Sequence, residues 1–188
     1  MVVKGNHQFK VSQEKLWSYL MDPEVLAKIT PGVSKLEILG PDQYKSVSDI
    51  KIGPVKGSFT GKLNVIDKDE PGSFAIDMEQ LSKIGNAHAK VAMTITQVDD
   101  QTSELSFNGK AKLSGVIART GQRVLSGVAN TITKEVFASL EKHIEEDNLE
   151  EAITPDNSNM AEQSNPTIES TETGFLSKLI SFFKKLFQ

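Results

Sequence analysis

The chain has 188 residues, of which 38% are hydrophobic, and this is enough for one ordinary domain with additional segments. Its net charge of −4 is divided unevenly, because residues 1–144 carry +2, residues 145–173 carry −9 and residues 174–188 carry +3. The absence of cysteine excludes disulfides, thiol nucleophiles and cysteine-ligated metals, and it is compatible with a reducing cytoplasm.

The first thirty residues predict one strand followed by two short helices. Residues 2–11 resemble the strand. Ser12 can cap the first helix, and Asp22 can cap the second, with Pro23 at its first helical position. Two short helices are therefore expected directly after strand 1.

Residues 34–113 have the pattern of a sheet. Candidate strands are 34–40, 43–52, 55–67, 73–81, 86–98 and 102–113. Short turn-like connections join them, which indicates antiparallel hairpins in a meander. After Gly115 the period becomes helical, with one apolar stripe from residue 116 to 144. The predicted fold is α+β: a curved antiparallel sheet wrapped on one long C-terminal helix.

One end of the predicted concave face is lined by small or adaptable side chains. Alternation along the strands places these residues inward, and the meander brings them to one end: Gly57, Gly61, Met78, Gln80, Ala87, Ala89, Gly109 and Ala111. Because native cores are close-packed, two explanations follow. Either the helix approaches closely or the strands bend at glycines, or the space is an apolar ligand cavity.

The candidate ligand-contacting residues combine this small wall with nearby apolar side chains. Residues at the start of the long helix would roof the cavity. The full set is Gly57, Phe59, Gly61, Phe74, Ile76, Met78, Ala87, Ala89, Val91, Phe107, Gly109, Ala111, Val116, Ile117 and Val124.

Catalytic and metal-binding patterns are absent from the sequence. His7, His88 and His143 lie far apart and are interpreted as surface histidines, and no acidic set has metal-ligand spacing. Arg119 and Arg123 are either ordinary exposed helix positions or groups at the cavity mouth that face a polar headgroup or an anionic membrane. The weak positive charge of residues 1–144 gives no basic stripe for nucleic acid.

The last fifteen residues predict an amphipathic helix at a membrane interface. They contain four of the nine phenylalanines and no acidic residue, and their apolar side chains fall within an arc of about 160° opposite lysines. The membrane-binding set is Phe175, Leu176, Lys178, Leu179, Ile180, Phe182, Phe183, Lys184, Lys185, Leu186 and Phe187. Docking in a partner's groove or on the chain's own core are the alternatives.

The segment between the core and this helix predicts a tether. Residues 146–173 are acidic and rich in polar residues, so they form a disordered linker between a domain at 1–145 and a helix at 174–188. No apolar run approaches the ~20 residues that cross a bilayer, and no secretory signal is evident. The expected location is cytoplasmic, peripheral to the inner face of an anionic membrane.

The arrangement resembles the START/Bet v 1-like helix-grip superfamily (SRPBCC). Within it, IGPVKGSFTGK at 52–62, with LSG at 113–115 and TGQRVL at 120–125, is similar to the CoxG family of carbon monoxide dehydrogenase subunits over residues 1–145. The resemblance implies a hydrophobic cavity, association with molybdenum hydroxylases such as carbon monoxide dehydrogenase, and membrane tethering or quinone shuttling. It supplies no catalytic residues.

Three functions follow from these observations. The first is a non-enzymatic carrier that holds an isoprenoid quinone, such as menaquinone, or a similar lipid, with no covalently bound cofactor, and serves a soluble oxidoreductase. The second is a structural adaptor that recruits such an enzyme to the membrane. The third is an enzyme of the polyketide cyclase type, which shares the fold but for which no inward acid/base pair is evident.

Overall fold

A computed structural model describes residues 1–153, with side chains described for residues 1–149. The predicted amphipathic helix at 174–188 and residues 154–173 of the predicted linker lie outside the described residues. The elements in chain order are β1 (Val2–Phe9), α1 (Gln13–Met21), α2 (Pro23–Ile29), β2 (Val33–Gly40), β3 (Gln43–Ile52), β4 (Val55–Asp69), β5 (Ser73–Ser82), β6 (Gly85–Asp99), β7 (Thr102–Leu113), α3 (Gly115–Arg119) and α4 (Gln122–Ile153).

The seven strands form one antiparallel sheet in the order β1-β7-β6-β5-β4-β3-β2. The meander from β2 to β7 is confirmed, and β1 forms the edge of the sheet beside β7. Helices α1 and α2 follow β1, and α4 is the long C-terminal helix. The α+β helix-grip prediction is therefore confirmed.

Both predicted N-caps are confirmed. The Ser12 side chain accepts a hydrogen bond from the Lys15 backbone N–H at 3.3 Å, and Asp22 Oδ1 accepts from Glu24 N–H at 2.7 Å. Each cap satisfies backbone donors that the first turn leaves unpaired. The two helices consequently begin where the sequence predicts.

The prediction of one continuous helix after Gly115 is wrong at its start. The chain breaks between α3 and α4, where Gly121 has a φ of +94° that a glycine adopts without steric cost. Helix α3 is fixed to the β5–β6 hairpin instead, since the Ile117 N–H donates to Ile84 O at 3.0 Å and the Ser114 N–H donates to Asn86 O at 2.9 Å. The first turn and the long helix are thus separate elements.

Helix α4 also continues to Ile153, beyond the domain boundary predicted at residue 145. Contacts with α1 explain the extension. The Tyr19 hydroxyl donates to Asp147 Oδ2 at 2.5 Å, and Lys15 Nζ lies 3.2 Å from the same oxygen. These bonds hold two further turns that the polar sequence alone would not order, so residues 146–153 are helical rather than part of a linker.

The hydrophobic core occupies one end of the described domain. Helices α1 and α2, the C-terminal half of α4 and the facing strand ends build it, and its most buried members include Phe9, Leu16, Ile95, Leu105 and Leu140. From α4, Leu140 and Ile144 are buried, with Val136 and Phe137 packed against the core. Such close packing is the main favourable term in folding.

Candidate ligand-binding site

The interface between α4 and the sheet is well packed at one end only. The apolar stripe of α4 continues toward its N-terminus through Leu125, Val128 and Ile132, which are half-buried and not part of the packed core. On the sheet, Val91 and Met78 are likewise half-buried and outside that core. Apolar side chains on both surfaces therefore remain partly exposed to solvent in this half.

An open depression lies between β7 and the helices at this end. Its volume is about 350 Å³, and its lining residues are Met1, Ala111, Lys112, Leu113, Ala118, Gln122 and Leu125. The volume falls at the lower end of the range, about 300–1,000 Å³, that is usual for small-molecule sites. A smaller depression of about 220 Å³ lies between α2 and α4.

The strand register places the predicted small residues side by side. Inward positions of neighbouring strands pair across the sheet, as the meander predicts. Two adjacent rows hold them: Gly61, Gln80 and Ala87 in one, and Met78, Ala89 and Ala111 in the other. The second row leads directly to the depression through Ala111.

Neighbouring side chains cover two of the glycines in this wall. A Cβ at Gly61 would collide with the Gln80 side chain and the Glu79 carbonyl oxygen. A Cβ at Gly109 would lie 2.5 Å from the Lys90 carbonyl oxygen and 2.8 Å from a methyl group of Val91. These glycines therefore admit close approach by the adjacent strand, which differs from the helix approach and the strand bending considered from the sequence.

Gln80 is one of the polar groups on this inner face. Its Nε2 donates to Ser46 Oγ at 3.3 Å, while its Oε1 is shielded from solvent and has no hydrogen-bond partner among the described residues. A buried acceptor without a donor costs about 1–3 kcal/mol, so such atoms are uncommon. The site thus combines an apolar wall with one unsatisfied amide oxygen.

Several predicted contacts lie elsewhere. Val116 and Val124 are 61% and 40% exposed, so they do not form the predicted roof. Val116 belongs to α3, which the break at Gly121 separates from α4. Phe74 packs edge-on against Trp17 with ring centroids 5.6 Å apart, and both rings belong to the core. Ile117 is buried, but against the β5–β6 hairpin.

The remaining predicted residues lie along the inner face. Phe107 covers Gly5 and contacts Phe137 edge-on, at the boundary between the core and the looser half. Phe59 is buried near the β3–β4 hairpin, and Gly57 is next to Ile84. Arg119 and Arg123 are both exposed.

Two of the histidines have contrasting environments. His88 is exposed on the outer face and lies 2.8 Å from Asp77, as expected for a surface residue. The surface prediction is wrong for His7, which is half-buried, stacks on Phe137 and lies 2.8 Å from Glu141 of α4. Among residues 1–153, no group of three or more histidine and acidic side chains could hold a metal ion.

The strongest electrostatic perturbation lies away from the depression, where α4 contacts α1. Burial, with the hydrogen bond to Asp147, raises the pKa of Tyr19 to about 12. The hydrogen bond from Tyr19, with a smaller effect of Lys15, lowers the pKa of the Asp147 carboxyl below its usual value. The third histidine, His143, is half-buried here and packs edge-on against the Tyr19 ring, so it is not a surface residue either. This cluster is a structural joint between two helices.

Comparison with known families decides the identity of the chain. The family model described as the CoxG subunit of carbon monoxide dehydrogenase matches residues 5–145. The chain belongs to the CoxG family. This match covers nearly the whole folded unit, from β1 into α4. No curated protein matches the chain.

Solved structures support the same fold for this CoxG-family chain. A conserved protein from Geobacillus kaustophilus is 30% identical, with a TM-score of 0.76, and the match covers 78% of this chain and 96% of that one. A START superfamily protein from Mycobacterium smegmatis shares 14% identity at a TM-score of 0.62, covering 77% and 97% of the two chains. The latter similarity concerns the fold alone. In the part of the chain that the structure describes, no helix is long and apolar enough to cross a bilayer.

The sequence did not predict several residues that line the site of this CoxG-family protein. They are Met1, Lys112, Leu113, Ala118, Gln122 and Leu125 around the depression, and Ser46 beside Gln80. Leu125 belongs to the apolar stripe of the helix and could have been included on that ground. Gln80 interrupts the apolar inward set of β5, which is the signal that a polar contact lies there.

Proposed function

We propose that this protein is a non-catalytic carrier of a hydrophobic ligand, an isoprenoid quinone such as menaquinone or a similar lipid. The observation that carries the proposal is the uneven packing of α4 on the sheet, with half-buried apolar residues on both surfaces next to an open depression. Membership of the CoxG family supports an accessory role beside an oxidoreductase, since the family is described as a subunit of carbon monoxide dehydrogenase.

The proposed ligand would lie along the inner face beside Ala89, Ala111 and Leu125. Its apolar part would complete the contacts that the loosely packed half lacks. An oxygen-bearing head would meet Gln80, because an amide next to a hydroxyl can present either its oxygen or its nitrogen. A ligand hydroxyl would donate to Gln80 Oε1. A ligand carbonyl would accept from Gln80 Nε2 after the amide flips, so that Oε1 accepts from the Ser46 hydroxyl instead.

The proposed partners are a soluble oxidoreductase of the carbon monoxide dehydrogenase type and the inner face of a membrane. Residues 174–188 would return the carrier to the bilayer, with three lysines favouring anionic lipid. The same tail would serve a simple adaptor equally well. Ligand binding by the core is therefore the property that distinguishes the two functions.

The test is lipid extraction and mass spectrometry of gently purified full-length protein, followed by a variant that narrows the site. Ala89→Leu adds a bulky side chain on the inner face, and Ala92→Leu adds the same group on the exposed outer face of the same strand. Loss of bound quinone or lipid in Ala89→Leu alone is expected. Protein that neither carries nor takes up such a ligand would contradict the carrier and leave the adaptor.

A further inference from the structure

One end of the described domain brings together hairpin tips and a helix that are distant in sequence. The same end of the antiparallel sheet carries the β3–β4 hairpin, the β5–β6 hairpin, the end of β7 and α3. Ile84 joins them: its side chain is next to Gly57, and its carbonyl accepts the Ile117 N–H. This end is therefore one continuous surface.

The charged side chains of its hairpin tips, of the end of β7 and of α3 are all positive. We define the basic end by six exposed cations: Lys51, Lys56, Lys83, Lys112, Arg119 and Arg123. Segments 50–59, 81–87 and 110–134 contain no aspartate or glutamate. None of the six cations forms an ion pair with another described residue.

The opposite end of the sheet has a different charge. Its hairpin tips carry Asp42, Asp69, Glu70, Asp99 and Asp100. Lys68 at this end is paired, because its Nζ lies 2.7 Å from Asp42 Oδ2. The domain is therefore polarised along its strands, and a negatively charged partner would orient it with the basic end forward.

Aliphatic side chains project from the basic end between its cations. Leu81 is 48% exposed, Val116 is 61% exposed and Val124 is 40% exposed. Exposed aliphatic tips combined with cations suit a lipid surface, where the former enter the acyl boundary and the latter meet headgroup phosphates. Segments 50–59, 81–87 and 110–134 contain one aromatic side chain, Phe59, and it is buried, so they expose none on which a nucleic-acid base could stack.

We propose that the basic end of the domain docks directly on an anionic lipid surface, independently of residues 174–188. The depression between Lys112 and Gln122 lies at this end, so docking would place its opening at the bilayer. The proposal deepens the proposed function, and it rests on that function only for the cargo that would pass through the opening.

The absence of cysteine allows a direct test in the full chain. Leu81→Cys and Val116→Cys place single thiols at the basic end, and Val98→Cys, at a 52% exposed position near the acidic tips, is the control. Each is labelled with the environment-sensitive fluorophore NBD and mixed with phosphatidylcholine vesicles, with or without phosphatidylglycerol. Blue-shifted, brighter emission at 81 and 116 but not at 98 is expected, with anionic vesicles only.

Charge variants and cosedimentation complete the test. The double variant Lys83→Glu/Arg119→Glu is expected to weaken vesicle binding by more than about tenfold. The control Lys10→Glu/Lys62→Glu makes the same change in net charge and is expected to keep most of the vesicle affinity. Cosedimentation without a response at 81 or 116 would overturn the docking surface and leave the membrane role of the tail. Absence of cosedimentation would overturn both the docking surface and the membrane role of the tail. Labels that respond to a soluble oxidoreductase and not to vesicles would assign the basic end to a protein partner instead.

Discussion

At the scale of single residues, the inner face shows how a glycine and its neighbour share one space. Gly61 is small because the Gln80 side chain lies across it, and Gln80 in turn leaves its Oε1 without a donor. The sequence predicts that both residues point inward at the same end. It cannot predict which side chain covers which glycine, because that depends on register and rotamer together.

Replacing this amide tests its role separately from its contribution to folding. Gln80→Leu keeps a similar volume and removes a buried acceptor that has no partner, but it also removes the hydrogen bond to Ser46. Because the two effects oppose each other, the free energy of unfolding is expected to change by less than about 1 kcal/mol. Bound ligand is expected to decrease if its head contacts the amide. Urea denaturation and lipid extraction measure the two effects, and Ser48→Ala, at another buried polar position of the same face, is the control.

A second residue-scale prediction concerns the joint between α1 and α4. Tyr19→Phe removes the hydrogen bond to Asp147 and is expected to destabilise the protein by about 1 kcal/mol at neutral pH. The lowered pKa of Asp147 means that its stabilisation is present above about pH 3.8 and is lost as the pH falls through the folded-state value.

At alkaline pH the stability depends on pH in the opposite direction. The unfolded tyrosine loses its proton near pH 10, whereas the folded one keeps it to about pH 12, so wild-type stability falls between these values. In Tyr19→Phe the alkaline decrease is expected to become smaller, leaving the part due to Tyr44, whose pKa is also raised by burial, and the acid decrease is expected to become shallower. Denaturation series across pH measure both, and an unchanged acid limb would contradict the role given to the hydrogen bond.

At the scale of elements, the strands were more predictable than the helices. Six strands were predicted within one to two residues at nearly every end, because alternation and turn residues are local signals. The break between α3 and α4 was missed, because the apolar spacing continues across Gly121 and only the positive φ reveals a turn. The extension of α4 to Ile153 was missed because it depends on distant residues of α1.

Two glycines near the start of α4 provide a matched test of this break. Open space surrounds a Cβ added at either Gly121 or Gly127, so only backbone preference differs. Gly121→Ala forces alanine to a positive φ and is expected to cost about 1 kcal/mol, whereas Gly127→Ala in the helix interior is expected to gain about 0.5–1 kcal/mol. Opposite signs in urea denaturation confirm the break; equal signs would contradict it.

At the scale of the whole domain, packing is uneven along α4. The half that includes Leu140 and Ile144 is buried in the core, and the half that includes Val124 and Leu125 borders the depression. The sequence predicted the contrast between a bulky end and a small end of the sheet. It did not predict that Val116 and Val124 would be exposed to solvent instead of covering the small-residue end of the sheet.

Amide hydrogen exchange measures this unevenness directly. Residues 122–134 are expected to exchange faster than residues 136–147, because local opening of the first half breaks fewer buried apolar contacts. The C-terminal half is expected to exchange near the rate set by global unfolding. Uniform protection along α4 would indicate that the depression is closed in solution.

The joint between α1 and α4 also determines how the domain would bear mechanical load. Tension applied through the chain beyond Ile153 enters at the C-terminal turns of α4, where Asp147 is bound to Tyr19 and Lys15. It then reaches the buried Leu140 and Ile144 before any residue of the depression. Pulling on the carboxyl-terminal segment would therefore load the most tightly packed part of the domain first and the depression last.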